Sequence, residues 1–200
     1  VSGATIAFAG VADNGGDLVE TAFLIQGMLT VRQYFDHPTD SVEAEIRSRA
    51  TAMWESVEWS WYRRFPGGNT LYWHWSENYG WAMNMQIVGY NEWMIAYLLA
   101  IASPSHPISA SCYYNGWAKE PWYANGNTYY GYQQWVGPAY GGPLFWTHCS
   151  YVGFDPRNKS DDYCNYFENS RNISLIHREY CIDNPNNFVG YSGLVWGLMK

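Results

Sequence analysis

The sequence predicts an all-α chain in which consecutive helical hairpins form part of an α/α toroid, an inner and an outer ring of helices around a cavity. Two observations point there. Helical segments follow one another in pairs, and extended aromatic loops occupy the joints between pairs. Three hairpins make about half of such a ring. The chain starts at Val1 without a signal peptide and stops inside the apolar pattern Trp196-Gly-Leu-Met-Lys200, so residues 1–200 are expected to be part of a single domain of a longer polypeptide.

The first helix is expected from about Asp17 to Phe35 and the second from about Ser41 to Trp59. Pro38 ends one, and Thr39 or Asp40 caps the next. Between them and the third helix, the turn Pro66-Gly67-Gly68-Asn69 is flanked by Trp61-Tyr-Arg-Arg-Phe65 and Thr70-Leu-Tyr-Trp-His-Trp75, which reads as a β-hairpin. The third helix spans about Asn91 to Ala102 and ends at Ser103-Pro104. A fourth covers about Ile108 to Trp117. Residues Ala118 to Gly142 form a long aromatic loop with one short strand near Tyr129 to Val136, and loops of such length in a domain are usually functional. A fifth helix begins at about Pro143, and a sixth runs from about Asp161 to Cys181, closing at Asn184-Pro185.

Composition narrows the function. The chain of 200 residues carries 12 Trp, 18 Tyr and 8 Phe, more large rings than core filling needs, so many are expected to line a cleft. Flat apolar sugar faces stack on such rings. A net charge of -7 argues against a nucleic-acid partner, whose phosphates demand basic patches. The longest apolar run, Trp93 to Ala102, is far short of the roughly 20 residues that cross a bilayer and reads as a buried helix.

The four cysteines have no CxxC or Cys/His spacing, and no His pair has the spacing of a zinc helix, so neither metal nor cofactor is expected. Cys164 and Cys181 are read on one helix, where ~1.5 Å per residue sets them roughly 25 Å apart, too far to bridge. Cys112 with Cys149 is the pairing left to consider, with unpaired thiols the simpler reading of all four. Serine hydrolysis has no Gly-x-Ser-x-Gly context, and the glycine pairs match no phosphate-binding pattern.

Acid chemistry gathers in Asp13-Asn-Gly-Gly-Asp17-Leu-Val-Glu20, where two glycines let the backbone turn. Asp17 and Glu20, three apart, share one face of a helix's first turn. Glycoside hydrolysis needs such carboxylates, one donating a proton while another acts on water or the sugar ring. The plainer reading is that Asp13 caps the helix and the others complement its dipole; three oxygen ligands would also suit calcium. Glu92, in Gly89-Tyr-Asn-Glu-Trp-Met94, is expected at the start of the third helix between Tyr90 and Trp93, where burial would favour its protonated form. His148, beside aromatics, reads equally as a sugar hydrogen-bonding group or as a structural histidine.

These words together carry a resemblance. Asp13-Asn-Gly-Gly-Asp-Leu-Val-Glu-Thr-Ala-Phe23, Thr30-Val-Arg-Gln-Tyr-Phe35, Tyr90-Asn-Glu92, Ser103-Pro-Ser-His-Pro107, Pro143-Leu-Phe-Trp-Thr-His148 and Gly153-Phe-Asp-Pro-Arg157 resemble the bacterial glycoamylase-like family, which includes endo-β-1,2-glucanases and domains of cyclic β-1,2-glucan synthases. The resemblance implies an (α/α)6 toroid and inverting hydrolysis of a β-glucan, β-1,2-glucan favoured, by a periplasmic or secreted monomer. Carried over, Asp13, Asp17 and Glu20 match the carboxylate cluster and Glu92 the acid of the Tyr-Asn-Glu motif. An inverting enzyme also needs a base with its carboxyl ~6.5 to 9.5 Å from the acid's, and that base is either in the cluster or outside this chain. On this reading Glu92 gives the proton, Asp17 and Glu20 place water and sugar hydroxyls with Asp13 supporting them, and Trp73, Trp75, Trp117, Tyr132 and Trp135 are the stacking candidates. The rivals are a non-catalytic glucan-binding module, which needs the aromatics but not the acids, and a transglycosylase or synthase-associated domain.

Overall fold

Local capping decides most of the helices. The computed structural model describes residues 6–8, 11–119, 121 and 123–198, with residues 6–8 and 11–13 by backbone alone. Among them the chain is mostly helical with three small antiparallel strand pairs. It divides into two units, Val1–Val88 with Ile95–Trp117, and Gly89–Met94 with Ala118–Lys200.

In the first unit β1 (Ile6–Phe8) pairs with β2 (Val11–Asp13), and β3 (Gly16–Asp17) runs into α1 (Leu18–Tyr34). Helix α2 (Ser41–Ser56) packs on α1 as the expected helical hairpin, with Asp40 as its cap accepting from Val42 N at 2.8 Å and Glu43 N at 3.1 Å. Arg32 lies over the Trp54 ring at 5.3 Å, tying the two helices by a cation–π contact. Leu18, Val19, Ala22, Ile25 and Gln26 form the buried stripe of α1.

Helix α2 is shorter than expected. The backbone extends at Val57, and a tight 3-10 turn over Trp59–Arg63 carries the Trp59 indole fully inside. The expected hairpin around Pro66–Asn69 is replaced for the same reason: its first arm is this turn, closed by Arg64 at positive φ. Its second arm holds β4 (His74–Trp75), which pairs instead with β3, Gly16 facing Trp75 and Asp17 facing His74.

The third helix, α3 (Met94–Ala102), starts three residues later than predicted, because the Asn91 side chain accepts from Trp93 N at 3.1 Å and holds that stretch in a turn. From Ile95 on it belongs to the first unit. Its Tyr97 hydroxyl accepts from Leu71 N at 2.9 Å and donates to Ile87 O at 2.8 Å, deep in the core. The expected fourth helix is only a π-helical turn, Tyr113–Trp117. The wider turn lets Cys112 and Trp117, five residues apart, both be buried.

In the second unit, β5 (Thr128–Tyr129) and β6 (Tyr132–Gln133) make a two-residue hairpin where one strand was expected. Tyr130 and Gly131 both take positive φ, as that turn requires. Helix α4 (Leu144–His148) follows Pro143, and α5 (Tyr166–Asp183) starts later than predicted because Asn165, not Asp161, is its cap, accepting from Glu168 N at 3.1 Å. Asn184, at positive φ, closes it where expected.

Asp161 instead organises the turn before the helix. It accepts from Tyr163 N at 2.8 Å and from the Tyr166 hydroxyl at 2.6 Å, so Cys164 precedes α5 and does not share it with Cys181. All four cysteines are reduced thiols. Among the described residues no helix is long and apolar enough to cross a membrane.

Candidate active site

Two clusters collect the residues of interest, one in each unit. The first is built on the mouth of α1. Asp17 occupies the cap position, its carboxylate accepting from Val19 N at 2.8 Å and Glu20 N at 3.0 Å, while Glu20 lies exposed in the first turn. The capping role that the sequence left to Asp13 therefore belongs to Asp17. The Asp13 side chain lies outside the described residues; its backbone ends β2.

The two glycines before Asp17 serve close approach rather than free turning. Neither takes a positive φ, but a methyl group on Gly15 would run into the Trp75 carbonyl, and one on Gly16 into the Tyr62 hydroxyl. The loop is further fixed by Asn14, which accepts from Ser76 Oγ and donates to Asn78 Oδ1, each at 2.5 Å. Leu18 N donates to Trp73 O at 2.8 Å. The backbone of the capping residue thus pairs with the segment that carries Trp73, buried His74 and Trp75, the two tryptophans being half-buried.

Tyr62 completes this cluster. Its hydroxyl donates to Gly16 O at 3.1 Å, and its pKa is raised first by burial and then by the nearby Asp17 carboxylate, so it stays a neutral donor. Trp117 is the exception among the stacking candidates of this unit. It is 0% exposed and packs on Tyr113 with ring centroids 5.2 Å apart, so it is a core residue that cannot present a face to a sugar.

The second cluster surrounds Glu92. The residue precedes α3 instead of opening it, is half-buried, and has Oε2 withdrawn from solvent. Its main chain is held from the turn after α4: buried Ser150 donates from Oγ to Glu92 O at 2.7 Å, and Tyr151 reaches Met94 Sδ at 3.8 Å. Tyr90, expected to flank Glu92, is buried and edge-on to Tyr123 at 5.9 Å. Burial pushes its hydroxyl up to about 12, against opposing hydrogen bonds from Asn169, Ser170 and Thr147.

His148 bonds through Nε2 to Ser174 Oγ at 3.0 Å, and partial burial lowers its pKa, so the ring is neutral and one nitrogen is already engaged. Tyr132 and Trp135 are half-buried on the hairpin side of α5. The Trp135 and Val136 amides donate to Asn169 Oδ1 at 3.0 and 3.3 Å, and Asn172 donates to Gln133 O at 2.8 Å. Two helix asparagines thereby replace a neighbouring strand. Sequence reasoning missed Asn14, Ser76, Ser150 and Asn169; each acts on a partner distant in sequence, and Asn14 alone of them stands in a motif, the Asp13–Asp17 run, whose spacing does not name that partner. Among the described residues no group of three or more His, Cys, Asp or Glu is placed to hold a metal ion.

Comparison with known proteins places these clusters in context. The Glycoamylase family model, described as "Putative glucoamylase", matches residues 84–200. An exo beta-1,2-glucooligosaccharide sophorohydrolase (non-reducing end) of Parabacteroides distasonis is 47% identical over 98% of this chain and 30% of its own length. The crystal structure of a beta-1,2-glucanase from the same organism matches with a TM-score of 0.91 at 47% identity, over 97% of this chain and 30% of that one. An endo-beta-1,2-glucanase from Chitinophaga pinensis, solved with sophorotriose and glucose, matches with a TM-score of 0.86 at 46% identity, over 94% of this chain and 47% of that one. The chain thus spans between about a third and a half of these relatives' length. With more than half of its residues matched by the family model, the chain belongs to the Glycoamylase family.

Proposed function

We propose that this chain carries catalytic residues of an inverting glycoside hydrolase acting on β-1,2-glucan. Glu92 donates the proton to the glycosidic oxygen, directly or through a sugar hydroxyl, and Asp17 and Glu20 position water and sugar hydroxyls with Asp13 in support. The observation that carries this reading is the similarity to the Parabacteroides distasonis and Chitinophaga pinensis glucanases, which extends over almost the whole chain at 46–47% identity. The fixed main chain of Glu92 supports its part, since a proton donor works only when held in line with the leaving oxygen.

The toroid, about half of it supplied by this chain, and a periplasmic or secreted location belong to the same proposal. Trp73, Trp75, Tyr132 and Trp135, all half-buried, are the rings offered to sugar, and His148 offers its free edge to a hydroxyl. Endo or exo action is open to test, since one relative is named for each.

The test uses the full-length protein on linear β-1,2-glucan, with reducing-sugar release and product sizing as readouts. Glu92→Gln is expected to lower kcat by ~10²- to 10⁴-fold, the usual contribution of a general acid. A variant as active as the wild type removes Glu92 from the role. Products longer than the substrate turn the reading to transglycosylation, and tight binding without turnover turns it to a binding module.

A further inference from the structure

Trp61 is the ring the mechanism leaves unused. It is 50% exposed, although burial of an indole is among the larger stabilising contributions open to a side chain. Nor is it loose: Trp75 meets it edge-on at 5.9 Å and Trp81 lies beside it at 6.2 Å, tilted by 33°, while Trp81 is itself braced by Tyr62 and Tyr72, each at 5.9 Å. The result is a rigid aromatic platform at the surface. It lines a groove of about 440 Å³ with Leu18, Thr21, Glu58, Tyr62 and Trp75, beside the first turn of α1, a size suited to a small ligand.

The hydroxyl and carboxylate oxygens that line that groove share one character. Glu58 caps the 3-10 turn, Trp61 N donating to Glu58 O at 3.0 Å, and both side chains line the groove. Thr21 spends its hydroxyl proton on Asp17 O at 2.6 Å, and Tyr62 spends its own on Gly16 O at 3.1 Å. Each oxygen left over accepts. A platform that stacks on an apolar face and is rimmed by acceptor oxygens fits a ligand rich in hydroxyl donors, while Arg63, Arg64 and His106 line the adjoining groove that shares Glu58 and Trp61.

We propose that Trp61 and Glu58 form a glucosyl-binding subsite, the indole stacking on the sugar ring and the carboxylate accepting from its hydroxyls. The assignment of the sugar rests on the proposed function; the geometry of the groove does not. Trp61→Ala in the full-length protein is expected to raise KM for linear β-1,2-gluco-oligosaccharides about tenfold with kcat changed less than about twofold, the pattern of lost ground-state binding. Trp61→Phe should recover part of the loss, and Glu58→Gln should raise KM by a smaller factor.

Calorimetric titration with sophorotriose reads the same site without turnover. Weaker binding in Trp61→Ala than in the wild type supports the subsite even if the wild type hydrolyses nothing, a result that would overturn the hydrolase reading alone. Unchanged KM and unchanged binding in both Trp61→Ala and Glu58→Gln overturn the subsite, as does a loss confined to melting temperature, which would make Trp61 a packing residue.

Discussion

Asp17 has one duty that the structure shows, the cap, and one that is proposed, and substitution can separate them. As a cap it needs only an oxygen acceptor, and Asn serves that role about as well as Asp; as a participant in sugar chemistry it needs the charge. Asp17→Asn is therefore expected to keep stability within about 0.5 kcal/mol while lowering glucan turnover, whereas Asp17→Ala loses the cap as well, at about 1 kcal/mol. Urea unfolding alongside kcat decides the matter, and an Asp17→Asn protein as active as the wild type leaves Asp17 as a cap only. The sequence made the acidic helix mouth, Asp17 with Glu20, legible because its spacing is local. It could not show that the glycines answer to Trp75 and Tyr62, dozens of residues away. Trp117 taught the same lesson in reverse: aromatic composition predicts rings in a cleft, but which rings are inward is decided by what packs on them.

At the scale of elements, the first helical hairpin and the end of α5 were read well, while the start of α5, capped by Asn165, and the strands were not. Asp40 and Asn184 mark helix ends from within a few residues, and the structure uses both. A strand pair such as β3 with β4 joins Gly16 to Trp75, so no local pattern specifies it, and the glycine turn at Pro66–Asn69 offered a nearer but wrong partner. Helix α5 shows how far an element can serve another. Asn169, fully buried, accepts from two amides of the 135–136 segment in place of a strand neighbour. Asn169→Ala leaves both amides without that acceptor and should cost ~2 to 3 kcal/mol, since an unsatisfied buried donor loses its full solvation. Asn169→Leu, which restores most of the volume without an acceptor, should cost about as much as Asn169→Ala. An Asn169→Leu denaturation midpoint close to the wild type's would show that packing volume, not the acceptor, matters at this position.

For the whole molecule, acid is the lever on stability that the structure supplies. Burial holds the His148 and His177 pKa values below the usual 6.5, and the neutral His177 Nδ1 accepts from Leu198 N at 3.3 Å. Protons are then bound more readily by the unfolded chain, so the stability these rings lend is complete above pH 6.5 and falls as pH drops through the lowered folded values. The urea midpoint should decline between about pH 6.5 and 5, less steeply in His148→Gln. Asp155, held at about 2 by its bonds to Arg157, enters only at lower pH. A midpoint flat across that range would contradict the account.

By itself the sequence determined the first helical hairpin with its Asp40 cap, the acidic helix mouth and the kinship with β-glucan hydrolases, because each is written in residues close together along the chain. Only the tertiary structure decided that β4 closes on the helix mouth, that Ser150 clasps Glu92, that Trp117 is core and that Trp61 is surface. The physical reason is common to all four: burial and long-range hydrogen bonds are properties of neighbours in space, and a chain names its neighbours in space only once it has folded.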